Sequence, residues 1–496
     1  MSVRERDDQE DESHANQVRN KDELPEGWMT FSLRELVEVL DSRRIPVNSE
    51  ERAKRIGTVP YFGATGQVGW IDDFLFDEEI LLIGEDGAPF FDKSKPIAYI
   101  VRNKCWVNNH AHVIRANVSA TSNLYLKHFL DWFNFNGFVN GTTRLKLTQA
   151  AMNSIPVRLA PLAEQSRIVE KLELLLAKVS SSQKRLSRIP ILLKRFRQSV
   201  LAAACSGKLT ADWRVVNTDV EPAIILRDRI QAQLGKLLDA NEWMEPPLDV
   251  PDSWEWVKAQ DLCRPTNTIT YGVLKPVWVT RGVPTVRVQD MKAGKIAIDA
   301  VGHCSRERAD KFSKTSLEVG DLLIAKDGAT LGKTAFVPPS LAGGNITQHV
   351  LRFPITSNVS STFVRFVIDS KHGQDWMRQE TKGVALPGVN VGDFRRMPVP
   401  LPPRSEQDEI IRRVDKLFTF ADQIELRLTL AKSNIDRLTQ SILAKAFKGE
   451  LVPTEHDLAA KDGRDYEPAS KLLERIRAES DKNVPTRAKR ATKHSK

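Results

Sequence analysis

Cysteine is scarce in this chain: four in 496 residues, at Cys105, Cys205, Cys263 and Cys304, with no CxxC pair. That spacing indicates neither a disulfide framework nor a zinc site, so a reduced, cytoplasmic setting is expected. No apolar run reaches the ~18 residues of a membrane span, and the first residues lack a signal-peptide apolar core, so neither spanning nor export is expected. Catalytic signatures are missing as well. There is no HExxH, no nucleophile elbow and no Asn-Pro-Pro-Phe/Tyr run. Gly328-Ala-Thr-Leu-Gly332-Lys333 has three residues between its glycines where a P-loop has four, and the aligned Gly87-Ala-Pro-Phe-Phe91 has no lysine. His110 and His112 have no acidic or cysteine partner at ligand spacing, so His112, with His349, is expected as a structural hydrogen-bonder. Asp86 and Asp327 read as turn-forming Asp-Gly pairs. No catalytic residue, no metal ligand and no cofactor bound by this chain is therefore assigned.

What the chain does have is a repeat. Ile155 to Leu209 recurs at Met397 to Leu451, an offset of 242 with no insertion or deletion. Glu164-Gln165 falls on Glu406-Gln407, Gln198-Ser-Val-Leu-Ala202 on Gln440-Ser-Ile-Leu-Ala444, and Gly207-Lys-Leu209 on Gly449-Glu-Leu451. Ile168, Leu172, Leu175, Val179, Ser182, Leu186, Ile189, Leu193, Phe196 and Val200 step alternately by four and three. Ile410, Val414, Leu417, Ala421, Ile424, Leu428, Ala431, Ile435, Leu438 and Ile442 repeat the pattern. That is an a/d heptad seam, and it predicts two coiled-coil helices of roughly 40 residues, about 60 Å each at ~1.5 Å per residue. Pro190 removes a backbone donor from the first and predicts a kink, where the second carries Lys432.

The repeat covers the body of the chain. Leu24-Pro-Glu-Gly-Trp28 returns as Val250-Pro-Asp-Ser-Trp254, offset 226. Between that opening and each long helix, short β-rich runs alternate with glycines, as at Pro60–Gly66, Ile80–Gly84 and Gly282–Val288, and predict mixed α/β domains. These regions match only at anchor points. Glu85-Asp-Gly-Ala88 aligns with Lys326-Asp-Gly-Ala329 (offset 241), Asn108 and His112-Val-Ile-Arg115 with Asn345 and His349-Val-Leu-Arg352 (237), and Gly141 with Gly383 (242). The expected layout is a disordered charged tail over 1–22, a domain over 23–162, a long helix over 163–206 and a linker with a short helix over 207–249. A second domain over 250–403, a long helix over 404–448 and an extension with a basic tail over 449–496 complete it.

Two similar scaffolds with different loops, held apart by helices of fixed length, suit a reader of two short sequences at a set spacing. The net charge of +9 is compatible with nucleic acid. Base edges are read by Arg, Lys, Asn and Gln on loops. The candidates are Gln67, Asn108, Asn109, His110 and Arg144 in the first half. In the second they are Tyr271, Lys275, Arg287, Gln289, Lys333, Asn345 and Gln348.

Leu159-Ala-Pro-Leu-Ala-Glu-Gln165, Lys194-Arg-Phe-Arg-Gln-Ser-Val-Leu201 and Gly207-Lys-Leu-Thr210 resemble the central conserved region of the specificity (S) subunit of type I restriction-modification systems. Leu401-Pro-Pro-Arg-Ser-Glu-Gln407 resembles its distal copy. Tyr61-Phe-Gly-Ala-Thr-Gly66 and Asn108-Asn-His-Ala-His112 resemble one class of the family's target recognition domains. The resemblance implies two mixed α/β target recognition domains joined by two long antiparallel coiled-coil helices, a pseudo-twofold tandem repeat. It also implies a non-catalytic subunit of a restriction endonuclease and adenine-N6 DNA methyltransferase complex. Each domain would read one half of a bipartite asymmetric site in double-stranded DNA. The helices would set the spacer and dock two methyltransferase (M) subunits, and through them two restriction (R) subunits. S-adenosylmethionine, ATP and Mg2+ would enter through those other subunits. Candidate docking residues are Glu164, Gln165, Leu172, Leu186, Phe196, Glu406, Gln407, Leu417, Leu428 and Leu438. A type IIB-like specificity subunit, a stand-alone DNA-processing enzyme and a coiled-coil scaffold without DNA affinity stay open as alternatives.

Overall fold

The computed structural model describes residues 24–235, 248–292, 294–382, 388–472 and 474–475. The charged N-terminal stretch, the basic tail from Val484 and Gly383 lie outside them. Among the described residues no helix is long and apolar enough to cross a membrane.

Contacts divide the chain into two compact units, Met1–Ser187 with Thr429–Lys496, and Arg188–Leu428. In the first, the apolar strand Ile80–Gly84 is fully buried and pairs antiparallel with Ala98–Val101 on one side and Ala111–Ala116 on the other. Val37–Val39 adds beyond Ala111–Ala116. A second sheet is the hairpin Val59–Gly63 and Gly66–Ile71, with Trp106–Val107 parallel to its first strand. Met29–Ser32 pairs with Pro156–Leu159, so the opening Pro-x-x-Trp and the entry to the long helix form one base. Helix Asn123–Trp132 supplies Tyr125, Leu126 and Phe129 to the core, and Phe129 and Trp132 meet Phe447 at ring distances of 5.3 and 5.6 Å.

The second unit repeats this plan. Leu322–Ala325 is central, between Thr334–Phe336 and Val350–Phe353, with Thr270–Tyr271 beyond. Val283–Val286 pairs with Gly302–Cys304 and runs parallel to Asn345–Ile346. Glu255–Lys258 pairs with Pro398–Leu401 as the base, and helix Ser361–Asp369 buries Phe363, Val364 and Val367. The Gly328–Lys333 stretch is a hairpin turn between two antiparallel strands, whereas a phosphate loop leads from a strand into a helix.

The first long helix is divided into Leu162–Leu186 and Ile189–Cys205, while Arg404–Phe447 runs unbroken for 44 residues. The expected kink is thus a break just before Pro190, which becomes one of the first two residues of a new helix, where a missing N–H costs nothing. In each unit the helices run antiparallel. In the first, Arg167 near one helix start donates to the Pro453 carbonyl past the end of the other, at 3.3 Å. In the second, Arg197 pairs with Asp422 at 2.6 Å while Asp212, further along, pairs with Arg413 at 2.6 Å. Ile168, Leu172 and Val179 share one core with Ile442, Leu443 and Phe447; Val200 and Leu201 share another with Ile410 and Val414. Burial of such side chains contributes roughly 1.5–3 kcal/mol each. The seam is incomplete, because Ser182 is exposed and Leu438 is 50% exposed. Among the described residues, the segment after Gly207 holds the expected short helix, Ala223–Leu234, and a further one, Ala211–Val216.

Candidate nucleic-acid interface

Each unit carries a constellation at the end of its central strand. In the first, Glu85 N–H donates to the His110 carbonyl at 2.8 Å, and Asp86 starts a turn completed by Gly87 at φ +76°. The Asp86 carboxylate pairs with Arg144 Nε at 2.7 Å and lies 3.5 Å from His110 Nδ1. In the second, Lys326 N–H donates to the His349 carbonyl at 3.1 Å, and Gly328 turns at φ +63°. Asp327 pairs with His349 Nδ1 at 2.7 Å and with Lys326 Nζ at 2.9 Å. Positive φ is accessible to glycine at little cost, which fixes the Asp-Gly order in both turns.

This pairing corrects the alignment read from the sequence. Gly84 faces Ala111 in one unit and Ala325 faces Val350 in the other, so the counterpart of His349 is His110, not His112. The offset here is 239 rather than 237. Asn108 therefore matches Thr347, and Asn345 matches Trp106: Asn108 and Thr347 donate their N–H groups to Phe62 and Val286 carbonyls. His112 is a buried hydrogen-bonder, held between Asp41 Oδ2 at 2.6 Å and the Leu147 carbonyl at 2.9 Å. Burial pushes the Asp41 carboxyl up, but hydrogen bonds from His112 and the Val113 N–H, with Arg44 nearby, outweigh it and leave Asp41 below its ordinary value. His349, expected as a structural hydrogen-bonder, does bond Asp327, and it is also partly exposed and lines a groove of about 520 Å³ with Lys275, Trp278, Gln289, Asp327 and Gln348.

The other candidates divide. Asn109, Gln67, Arg144, Tyr271, Lys275, Gln289 and Lys333 are exposed. Asn108 is largely buried, and its Oδ1 caps the His110 N–H at 2.8 Å. Asn345 is a correction: it is 2% exposed, accepts from Thr315 Oγ1 at 2.5 Å and donates to the Phe312 carbonyl, so it is a core brace. Arg287 lines the groove but spends Nε and Nη2 on Asp290 and the Ala300 carbonyl and lies over Trp278. Sequence reasoning missed the part of Asp86, Asp327 and His349. An Asp-Gly turn with a histidine in both halves was the available signal, once slipped by two residues.

The proposed docking residues need correction too. Glu164 and Glu406 are fully buried, and Gln165, Gln407 and Leu172 are interior, so none of these can face a partner. Trp28 Nε1–H donates to Glu164 at 3.0 Å and Trp254 Nε1–H to Glu406 at 2.8 Å. Glu164 also accepts the Glu455 N–H at 2.8 Å; Glu406 accepts Thr210 Oγ1–H at 2.6 Å and an Arg214 guanidinium contact. Gln165 donates to Ala120 and Ala160 carbonyls, and Gln407 accepts the Ser360 N–H. These pairs fasten each domain to a long helix. Leu428 is buried, Leu186, Phe196 and Leu417 are half-buried, and only Leu438 of the set is open. Exposed apolar side chains lie elsewhere on the helices: Leu174 and Leu430 in the first unit, Ile191, Leu192, Phe420 and Leu426 in the second.

The tandem architecture and twin constellations define a duplicated two-unit module. The sequence profile of the type I restriction modification DNA specificity domain matches residues 25–190 and 251–430, and the chain belongs to that family. The Escherichia coli EcoBI specificity subunit is 32% identical over 350 residues, covering 69% of this chain and 68% of that protein. The Escherichia coli EcoDI specificity subunit is 28% identical over 476 residues, covering 92% and 96%. A chain solved in work on complex assembly and conformational transition of the type I R-M system shares the fold, with TM-score 0.60 at 17% identity over 86% of this chain and all of that one. The protein is thus a specificity subunit, a recognition component and not a catalytic one.

Proposed function

We propose that each unit reads one half of a bipartite, asymmetric duplex site through the loops around its Asp-Gly turn. The long helices set the spacer, dock two methyltransferase subunits and, through them, two restriction subunits. The observation that carries this reading is the twin constellation: one strand scaffold in both units, with Arg144 neutralising the aspartate in one and Lys326 in the other. Shared scaffold with unlike side chains suits two unlike half-sites. Docking is assigned to the exposed apolar helix residues Leu174, Ile191, Leu192, Phe420, Leu426 and Leu430, because solvent-facing leucine and phenylalanine on a charged helix mark an interaction surface. S-adenosylmethionine, ATP and Mg2+ belong to those partners. The test is methylome sequencing of a host carrying this chain and its partner subunits. One modified two-part motif with an unspecified spacer is expected, and a continuous motif, or none that depends on the chain, would refute the reading.

A further inference from the structure

The strand registers put Asn109 and Gln348 at one position of the fold. Each follows a residue whose N–H joins the parallel strand pair (Asn108 to the Phe62 carbonyl, Thr347 to the Val286 carbonyl). Each precedes the histidine whose carbonyl takes the N–H at the end of the central strand. The loops differ around them, yet both are carboxamides next in sequence to the histidine that faces the turn aspartate. In the second unit the partners form a chain: His349 Nδ1–H donates to Asp327 at 2.7 Å, and Gln348 Nε2–H donates to His349 Nε2 at 3.1 Å. That chain fixes which way round the amide lies. One N–H is used by the histidine, leaving Oε1 and the second N–H as an adjacent acceptor and donor at the edge of the groove.

An acceptor beside a donor complements adenine in the major groove, whose N6–H donates and N7 accepts; guanine offers two acceptors there and would need two donors. We propose that Asn109 and Gln348 are twin base-reading residues, each taking an adenine edge in its own half-site, with Asp327 and His349 positioning the Gln348 amide. This rests on the bipartite reading above.

The test is selection of bound duplexes from a randomised library by the full-length chain, sequenced before and after. Wild type is expected to enrich a two-part site with a fixed A·T pair in each half. Gln348→Ala should weaken preference at one adenine of one half-site by roughly 10-fold, and Asn109→Ala at one adenine of the other. Gln348→Glu and Asn109→Asp should turn those preferences toward cytosine, because a carboxylate accepts from the cytosine N4 amine. Retained selection at the untouched half reports that each variant is folded. Preference unchanged in the variants, relaxed at a base other than adenine, or lost evenly across all sequences with a shallower salt dependence, as for a phosphate contact, would overturn the assignment while leaving two-part recognition intact. A wild-type chain that enriches no two-part site would overturn both.

Discussion

Removing the carboxylate of Glu406 should unfasten one recognition domain from its helix without touching the other. The group is wholly buried and receives Trp254 Nε1–H at 2.8 Å, Thr210 Oγ1–H at 2.6 Å and Arg214. Glu406→Ala strands the indole donor and the hydroxyl, at roughly 1–3 kcal/mol for each buried group left unsatisfied. Arg214 keeps the Gly207 carbonyl at 2.7 Å and, being partly exposed, recovers water, so its share is discounted. The total is about 2–6 kcal/mol, a large fraction of the roughly 5–15 kcal/mol that holds a domain together. Glu406→Gln keeps one acceptor oxygen, loses the charge opposite Arg214 and should cost about half as much. Amide hydrogen exchange on the full-length chain reads the result. The Glu255–Lys258 and Pro398–Leu401 pair should lose protection, while Met29–Ser32 and Pro156–Leu159 keep theirs. Equal loss in both strand pairs, or a stability change under about 1 kcal/mol, would show that this contact is not the fastening.

Glu164, the matching group, receives only neutral donors, and burial holds its carboxyl above the ordinary value of 4.5. A raised folded value favours the protonated form in the fold, so its contribution is full below 4.5 and is lost as pH rises through the folded value. Glu164→Gln should flatten that pH slope in urea-unfolding midpoints; an unchanged slope would place its origin elsewhere. Four-residue insertions near Ser182 and Ala431, made together, should lengthen both helices by about 6 Å and shift the tolerated spacer by about two base pairs with both half-sites unchanged. A changed half-site with the old spacer, read by methylome sequencing, would refute the ruler. Asn345→Ala should destabilise the second unit by about 2 kcal/mol in thermal unfolding yet leave the bound sequence as it was, since its amide is spent on Thr315 and Phe312.

Much of the architecture was legible because its cause is periodic. The four-and-three spacing of Ile410, Val414, Leu417 and Ala421 demands a helix with one apolar seam, and Arg404–Phe447 is that helix. The equal length of the two copies and the recurrence of Pro-x-x-Trp located the duplication, and the absent donor of Pro190 located the interruption. The Glu-Gln pairs dropped out of the docking assignment for a reason visible only in three dimensions. Repeated Glu-Gln pairs read as a shared surface, but all four residues are buried, the glutamates accepting from Trp28 and Trp254 and the glutamines bonding backbone groups.

The Asp-Gly edge of each sheet shows the same division. By itself the chain determined that two related β-rich modules alternate with two helical stretches of one length, since hydrophobic period and repeat length are properties of the string. It could not decide which histidine of His110-Ala-His112 answers to His349. Side chains on a strand alternate faces with a period of two, so a two-residue slip leaves the apolar pattern unchanged. Only the backbone hydrogen bonds of the folded sheets resolve that slip, and with it which loop amide precedes the histidine facing the turn aspartate in each half.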